Sequence, residues 1–145
     1  MLLFIDIDGV LHPAPPHNRD VGVLCHTERF ESIMRDFPGC QIVISSSWRE
    51  QFDLDTLHGF FSPDIAIRIV GVTPAINDPV KFLRQREIEQ YLADTNQRNI
   101  PWVVLDDDLD HFASGTPNLV LCDKITGIDD AAERQLRNKL TLVTA

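Results

Sequence analysis

The sequence predicts a three-layer α/β sandwich around a central, parallel five-stranded sheet, doubly wound with right-handed crossovers. Three observations predict it. Short runs rich in Ile, Val and Leu alternate with longer amphipathic stretches. The runs are almost continuously apolar, as strands covered on both faces are. The 145 residues, 43% of them hydrophobic, are enough for one domain over residues 1–145 with a core of its own.

Residues 2–7, 41–44, 65–70, 102–105 and 118–121 are expected as strands. Phe30, Ile33, Met34 and Phe37 recur at helical spacing, and the helix they predict stops at Pro38-Gly39. Ser47 with Glu50 reads as a capping box opening a second helix. Asp78 as N-cap with Pro79 at the first helical position opens a third. Asp130 with Glu133 opens the last, whose buried stripe is Ala132, Leu136, Leu140 and Val143. The irregular stretch 12–23, with three prolines, is expected as a loop bordering the ligand crevice.

A net charge of −9, from 13 basic and 22 acidic residues, opposes non-specific adhesion to nucleic acid or anionic lipid. No apolar run approaches the ~18 residues that span a bilayer. The opening Met-Leu-Leu-Phe-Ile runs into Asp6 without a basic start or small-residue cleavage site, so a cytoplasmic protein is expected. Cys25, Cys40 and Cys122 lack paired spacing and are expected reduced and buried. No obligate protein partner is evident.

In an open α/β sheet, ligands lie beyond the carboxyl ends of the strands. The first strand ends in Asp6-Ile7-Asp8-Gly9, two carboxylates on one side of the chain with a glycine to turn it. The fourth ends in Asp106-Asp107-Asp108-Leu109-Asp110, like charges that need solvent or a cation to relieve them. Both clusters suit magnesium. After the second strand, Ser45 and Ser46 are available to bind an anion at the following helix start, with Ser47 taken up as the cap. Arg49 is a further candidate for a substrate phosphate. On the third helix, at about 100° per residue, Lys81 and Arg84 share the stripe of Ile88, whereas Arg86 points to solvent. Arg84 is the first choice of cation and Lys81 the second. Lone histidines such as His12 and His17 fit an ordinary surface role, and Trp48 fits the core.

Asp6-Ile7-Asp8-Gly9-Val10-Leu11, the strand-terminal Ser45, a basic helix residue and the acidic cluster resemble, in that order, the four motifs of the haloacid dehalogenase (HAD) superfamily of phosphohydrolases. The run Ser45–Arg49, Gly71-Val72-Thr73-Pro74 and Arg84-Gln85-Arg86-Glu87-Ile88 resemble more narrowly the HAD domain of Swiss Army Knife RNA-repair proteins. The resemblance implies a Rossmann-like fold in which Asp6 is a nucleophile forming an aspartyl-phosphate and Asp8 the general acid and base. It implies Ser45 with Arg84 or Lys81 on the phosphoryl oxygens. Magnesium would be held by Asp6, the backbone carbonyl of Asp8, and Asp106 or Asp107, with Asp110 spaced as a second acid. The gaps between motifs leave no room for a separate cap domain; in the superfamily the lack of a cap accompanies large substrates, so an RNA or DNA terminus or a phosphoprotein is expected at least as much as a small metabolite. A receiver-like signalling module and a catalytically idle phosphate-binding domain are the alternatives. The first would need an acid after the third strand, where Gly71 stands.

Overall fold

The computed structural model describes residues 1–14 and 22–144. In chain order it holds β1 (Leu2–Ile5), α1 (Thr27–Asp36), β2 (Gln41–Ile44), α2 (Leu54–His58), α3 (Pro63–Ala66), β3 (Ile69–Val72), α4 (Leu83–Asp94), β4 (Trp102–Asp106), β5 (Leu119–Leu121) and α5 (Asp130–Thr144). Single 3₁₀ turns follow β2 (Ser47–Glu50) and β4 (Leu109–His111). The five strands are all parallel, in the order β3-β2-β1-β4-β5.

Side chains alternate across a strand, and β1, at the centre, shows why this makes three layers. Leu3 and Ile5 join Phe30, Ile33 and Met34 of α1 and Ala132, Leu136 and Leu140 of α5 in one core. Leu2 and Phe4 face the other way and pack with Val43, Val104 and Ile88, Tyr91 and Leu92 of α4. The Phe4 ring stands edge-on to Tyr91 at 5.7 Å and Trp102 at 5.8 Å, the favoured aromatic geometry.

Four elements differ from the expectation. The apolar run 65–70 is not one strand: it is the end of α3 and the start of β3, because Pro63 at a first helical position makes Pro63–Ala66 a helical turn. Arg68 fixes the join by donating to the carbonyls of Met34, Phe37 and Cys40. Ser46, not Ser47, is the N-cap after β2, its Oγ accepting from Trp48 N, and what it caps is one 3₁₀ turn, so no α-helix begins there. The third helix starts at Leu83 rather than Asp78, since Phe82 at φ 58° interrupts the helical path. At α5 the cap is Asp129, which accepts from Ala132 N, while Asp130 and Glu133 bind Arg29 at 2.9 Å each. Cys25 is exposed, unlike the buried Cys40 and Cys122. Of the expected loop 12–23, residues 15–21, His17 among them, lie outside the described residues. Among those described, no helix is long and apolar enough to cross a membrane.

Register fixes what meets at the sheet rim. Ile5 is level with Ile44 on one side and Leu105 on the other. The next residue on each strand is therefore Asp6, Ser45 or Asp106, side by side at neighbouring strand ends about 4.8 Å apart. Backbone bonds carry the alignment one step past the strands, from Ser45 N to Ile5 O (2.7 Å) and Asp6 N to Leu105 O (3.0 Å).

Candidate active site

The centre is acidic. Asp6, Asp106 and Asp107 each bring one carboxylate oxygen within 4.8 Å of the others. Asp106 is fully buried: one oxygen accepts from Asp108 N at 2.9 Å, and the other, Oδ2, has no hydrogen-bond partner among the described residues. Asp6 accepts from Ile7 N at 2.8 Å. Burial, then the negative charge of Asp106, pushes the Asp6 carboxyl well above the usual carboxylate range. Burial likewise, with Asp107 beside it, pushes Asp106 up to about 7. These are hard oxygen donors, clustered and short of positive charge, and they fit a divalent cation such as Mg²⁺.

Gly9 permits this approach of β1 and β4. It lies at φ 76°, and a Cβ there would stand 2.1 Å from Asp107 Oδ2. Gly9→Ala is therefore expected to destabilise the fold by at least about 1–2 kcal/mol from backbone conformation alone, with the clash added. Gly39→Ala, where a Cβ meets nothing within 4 Å, should stay within about 0.5 kcal/mol. Urea unfolding of the two variants measures the difference.

Asp8 sits apart from the three acids in a cradle of its own. His12 Nε2 lies 2.7 Å from its Oδ1, and Trp48 Nε1 donates to its Oδ2 at 3.1 Å. His12 corrects the sequence reading, being 4% exposed rather than at the surface; Trp48 packs against the core as expected, on Phe52 and Phe60, and adds this polar contact. The signal was the spacing Asp8-x-x-x-His12 across a glycine turn, which Gly9 N closes by donating to His12 O at 2.9 Å.

On the β2 side, Ser45 is fully buried and its Oγ has no hydrogen-bond partner among the described residues. Among the described residues, Arg84 brings a positive charge toward the acids. Burial opposes its charge, but the Glu87 hydrogen bond (2.8 Å) and the negative charge of Glu87, Asp6 and Asp106 outweigh that and raise it above the ordinary range. Glu87 was missed by sequence reasoning. Itself buried, it holds Arg84 through Oε1 and, through Oε2, accepts from Arg49 (2.7 Å) and Ile76 N (2.9 Å). Arg49, expected on a substrate phosphate, is turned inward: its side chain is 5% exposed and also donates to the Ser46 carbonyl. Ser46 spends its hydroxyl on Trp48 N. Lys81 precedes α4 and is exposed, so the helical stripe that recommended it does not include it. Asp108 caps the 3₁₀ turn through Asp110 N, and Asp110 is exposed outside the acidic centre.

The rim thus joins clustered carboxylates, an unsatisfied hydroxyl, a guanidinium and a separately held carboxyl. That combination can bind a phosphoryl group and offer it a nucleophile and a proton donor. A comparison with curated proteins finds no match. The family model described as "HAD domain in Swiss Army Knife RNA repair proteins" matches residues 2–132, which takes in β1 to β5 and every residue of the site. The chain belongs to that family, and with it to the HAD-type hydrolases.

Proposed function

We propose that the chain is a magnesium-dependent phosphomonoester hydrolase working through an aspartyl-phosphate on Asp6, without a separate cap domain. The observation that carries the reading is the meeting of Asp6, Asp106 and Asp107 within 4.8 Å, with Asp106 Oδ2 lacking a hydrogen-bond partner among the described residues. Asp6, Asp106 and Asp107 would hold the ion. When bound, Mg²⁺ supplies the charge neutralisation that lets a carboxylate approach a phosphate dianion.

Each residue then has a defined task. Asp6 attacks phosphorus with a carboxylate oxygen, forming the acyl-phosphate as the bond to the leaving oxygen breaks. Asp8 gives its proton to that oxygen, then takes one from the water that hydrolyses the acyl-phosphate and frees Asp6. Ser45 Oγ donates to a phosphoryl oxygen, which would satisfy its missing partner. Arg84, already drawn toward the acids, neutralises charge on the same group. Glu87 keeps its guanidinium in place.

The expected substrate class is a phosphate at an RNA or DNA end. The family's occurrence in RNA repair proteins supports it, as does the single helix α1 among the described residues between β1 and β2, with no second domain to enclose a small molecule. The test is phosphate release from 5′- and 3′-phosphorylated oligonucleotides against a panel of phosphorylated metabolites, with Mg²⁺ or with chelator. Preference for oligonucleotides, lost in chelator, is expected. Turnover confined to metabolites would refute the substrate, and equal turnover in chelator would refute the metal.

Arg84→Ala should lower kcat/KM by about 10²-fold or more. Arg86→Ala should change it less than about twofold, because Arg86 is exposed and, among the described residues, pairs with Glu89 alone at 3.4 Å. Equal losses would remove Arg84 from the phosphate.

A further inference from the structure

We propose that His12 is a positioning residue for Asp8, fixing its carboxyl for proton transfer from behind while the opposite side stays open to substrate. The inference rests on the reading of Asp8 as proton donor. His12 Nδ1 accepts from Leu24 N at 3.1 Å. A neutral ring has one N–H, so that bond places its proton on Nε2, aimed at Asp8 Oδ1 2.7 Å away. Leu24 presents its N–H from φ 62°, a costly conformation for a branched residue that persists only where its surroundings enforce it. The backbone around His12 is held on both sides, with Gly9 N on His12 O and His26 N on Leu11 O, each at 2.9 Å. Trp48 donates to the second Asp8 oxygen and rests its ring 5.7 Å from the imidazole.

Exposure gives the arrangement its direction. The His12 side chain is 6% exposed and that of Asp8 48%. The donor is shielded from water while the acceptor faces out. Each carboxyl oxygen has two lone-pair directions, so a bond from behind on each leaves the front available for the proton. That proton passes from Asp8 to the leaving oxygen as its bond to phosphorus breaks and the Asp6–phosphorus bond forms. His12 exchanges no proton with substrate; it keeps the carboxyl from turning away. Misalignment of a proton donor costs about 10²-fold.

Two substitutions separate positioning from structural support. His12→Asn keeps an acceptor where Nδ1 meets Leu24 and lacks the donor to Asp8; His12→Gln keeps the donor and lacks the acceptor. An alkyl phosphate needs its leaving oxygen protonated, whereas a nitrophenyl phosphate does not. With Mg²⁺, His12→Asn should lower kcat/KM for the alkyl ester by about 10²-fold and for the nitrophenyl ester much less, and His12→Gln should recover most of the loss. Equal losses on both esters, or His12→Gln as impaired as His12→Asn, would overturn the proposal. Ring ¹⁵N shifts need no turnover: an Nε2-bound proton whose resonance moves in Asp8→Ala is expected, and a proton on Nδ1 would overturn the proposal. A wild type that releases no phosphate would overturn the hydrolase reading instead, leaving the ring shifts to decide for or against His12.

Discussion

Asp6→Asn is expected to lower magnesium-dependent phosphate release by about 10⁴-fold or more, the scale of losing a covalent nucleophile, with folding retained. The amide oxygen still accepts from Ile7 N as Asp6 does, so the turn out of β1 has no reason to change. What is lost is the anionic oxygen that attacks phosphorus. An amide also removes one negative charge from a buried cluster, so the melting temperature at pH 8 should hold or rise. Phosphate release and thermal unfolding on one preparation read both halves. Activity near wild type would take the nucleophile role from Asp6; a collapsed melting temperature would make Asp6 a structural residue.

Asp106→Asn should make the chain more stable and less active together. Burial and the adjacent Asp107 hold the Asp106 carboxyl up to about 7, and Asp6 is raised as well. The folded chain therefore retains protons that the unfolded chain releases above the ordinary carboxylate value. The contribution of Asp106 to stability is fully present below about pH 4 and is lost as pH rises through about 7, and the raised Asp6 carboxyl acts in the same direction. Without metal, the wild type should melt at a lower temperature at pH 8 than at pH 5, and Asp106→Asn should flatten that slope. At pH 8 the variant should gain several degrees, at about 2–4 °C per kcal/mol for a chain of this size. Added Mg²⁺ should raise the wild-type melting temperature at pH 8 and scarcely move the variant's. Turnover should fall by about 10²-fold or more, because Asp106 belongs to the acidic centre. A variant less stable than the wild type at pH 8 in chelator would contradict the strain assigned to this cluster.

The parts of the fold legible in the sequence are those where one physical signal dominates. β1, β2 and β4 are covered over nearly their whole length, so their apolar runs are almost unbroken, and each gives way to a polar residue at the sheet rim: Asp6, Ser45, Asp106. Parallel pairing then brings those three residues together. Less was legible where two signals overlap. The run 65–70 is apolar in both its helical and its extended part, and only Pro63 marks the boundary. Asp78-Pro79 is a sound local helix start, yet the left-handed Phe82 defers the helix to Leu83.

The same division holds in the site. The residues proposed to face a phosphoryl group stood out as charges and hydroxyls at strand ends. Those that hold them did not, since their partners are distant in sequence. Arg49 binds Glu87, 38 residues away, and Trp48 reaches Asp8 across 40. Glu87 offered one local clue, three positions after Arg84 on the same helix. Read as a pair, they would have placed a buried acid behind the cation.

The most direct test of the central claim is to trap the covalent intermediate. Wild-type protein turning over a ³²P-labelled phosphomonoester with Mg²⁺ is quenched in acid, and the labelled peptide is mapped. An acid-stable, alkali-labile phosphate on the peptide carrying Asp6, absent in Asp6→Asn and in chelator, is the expected result. Label on Ser45, or label that survives Asp6→Asn, would contradict it.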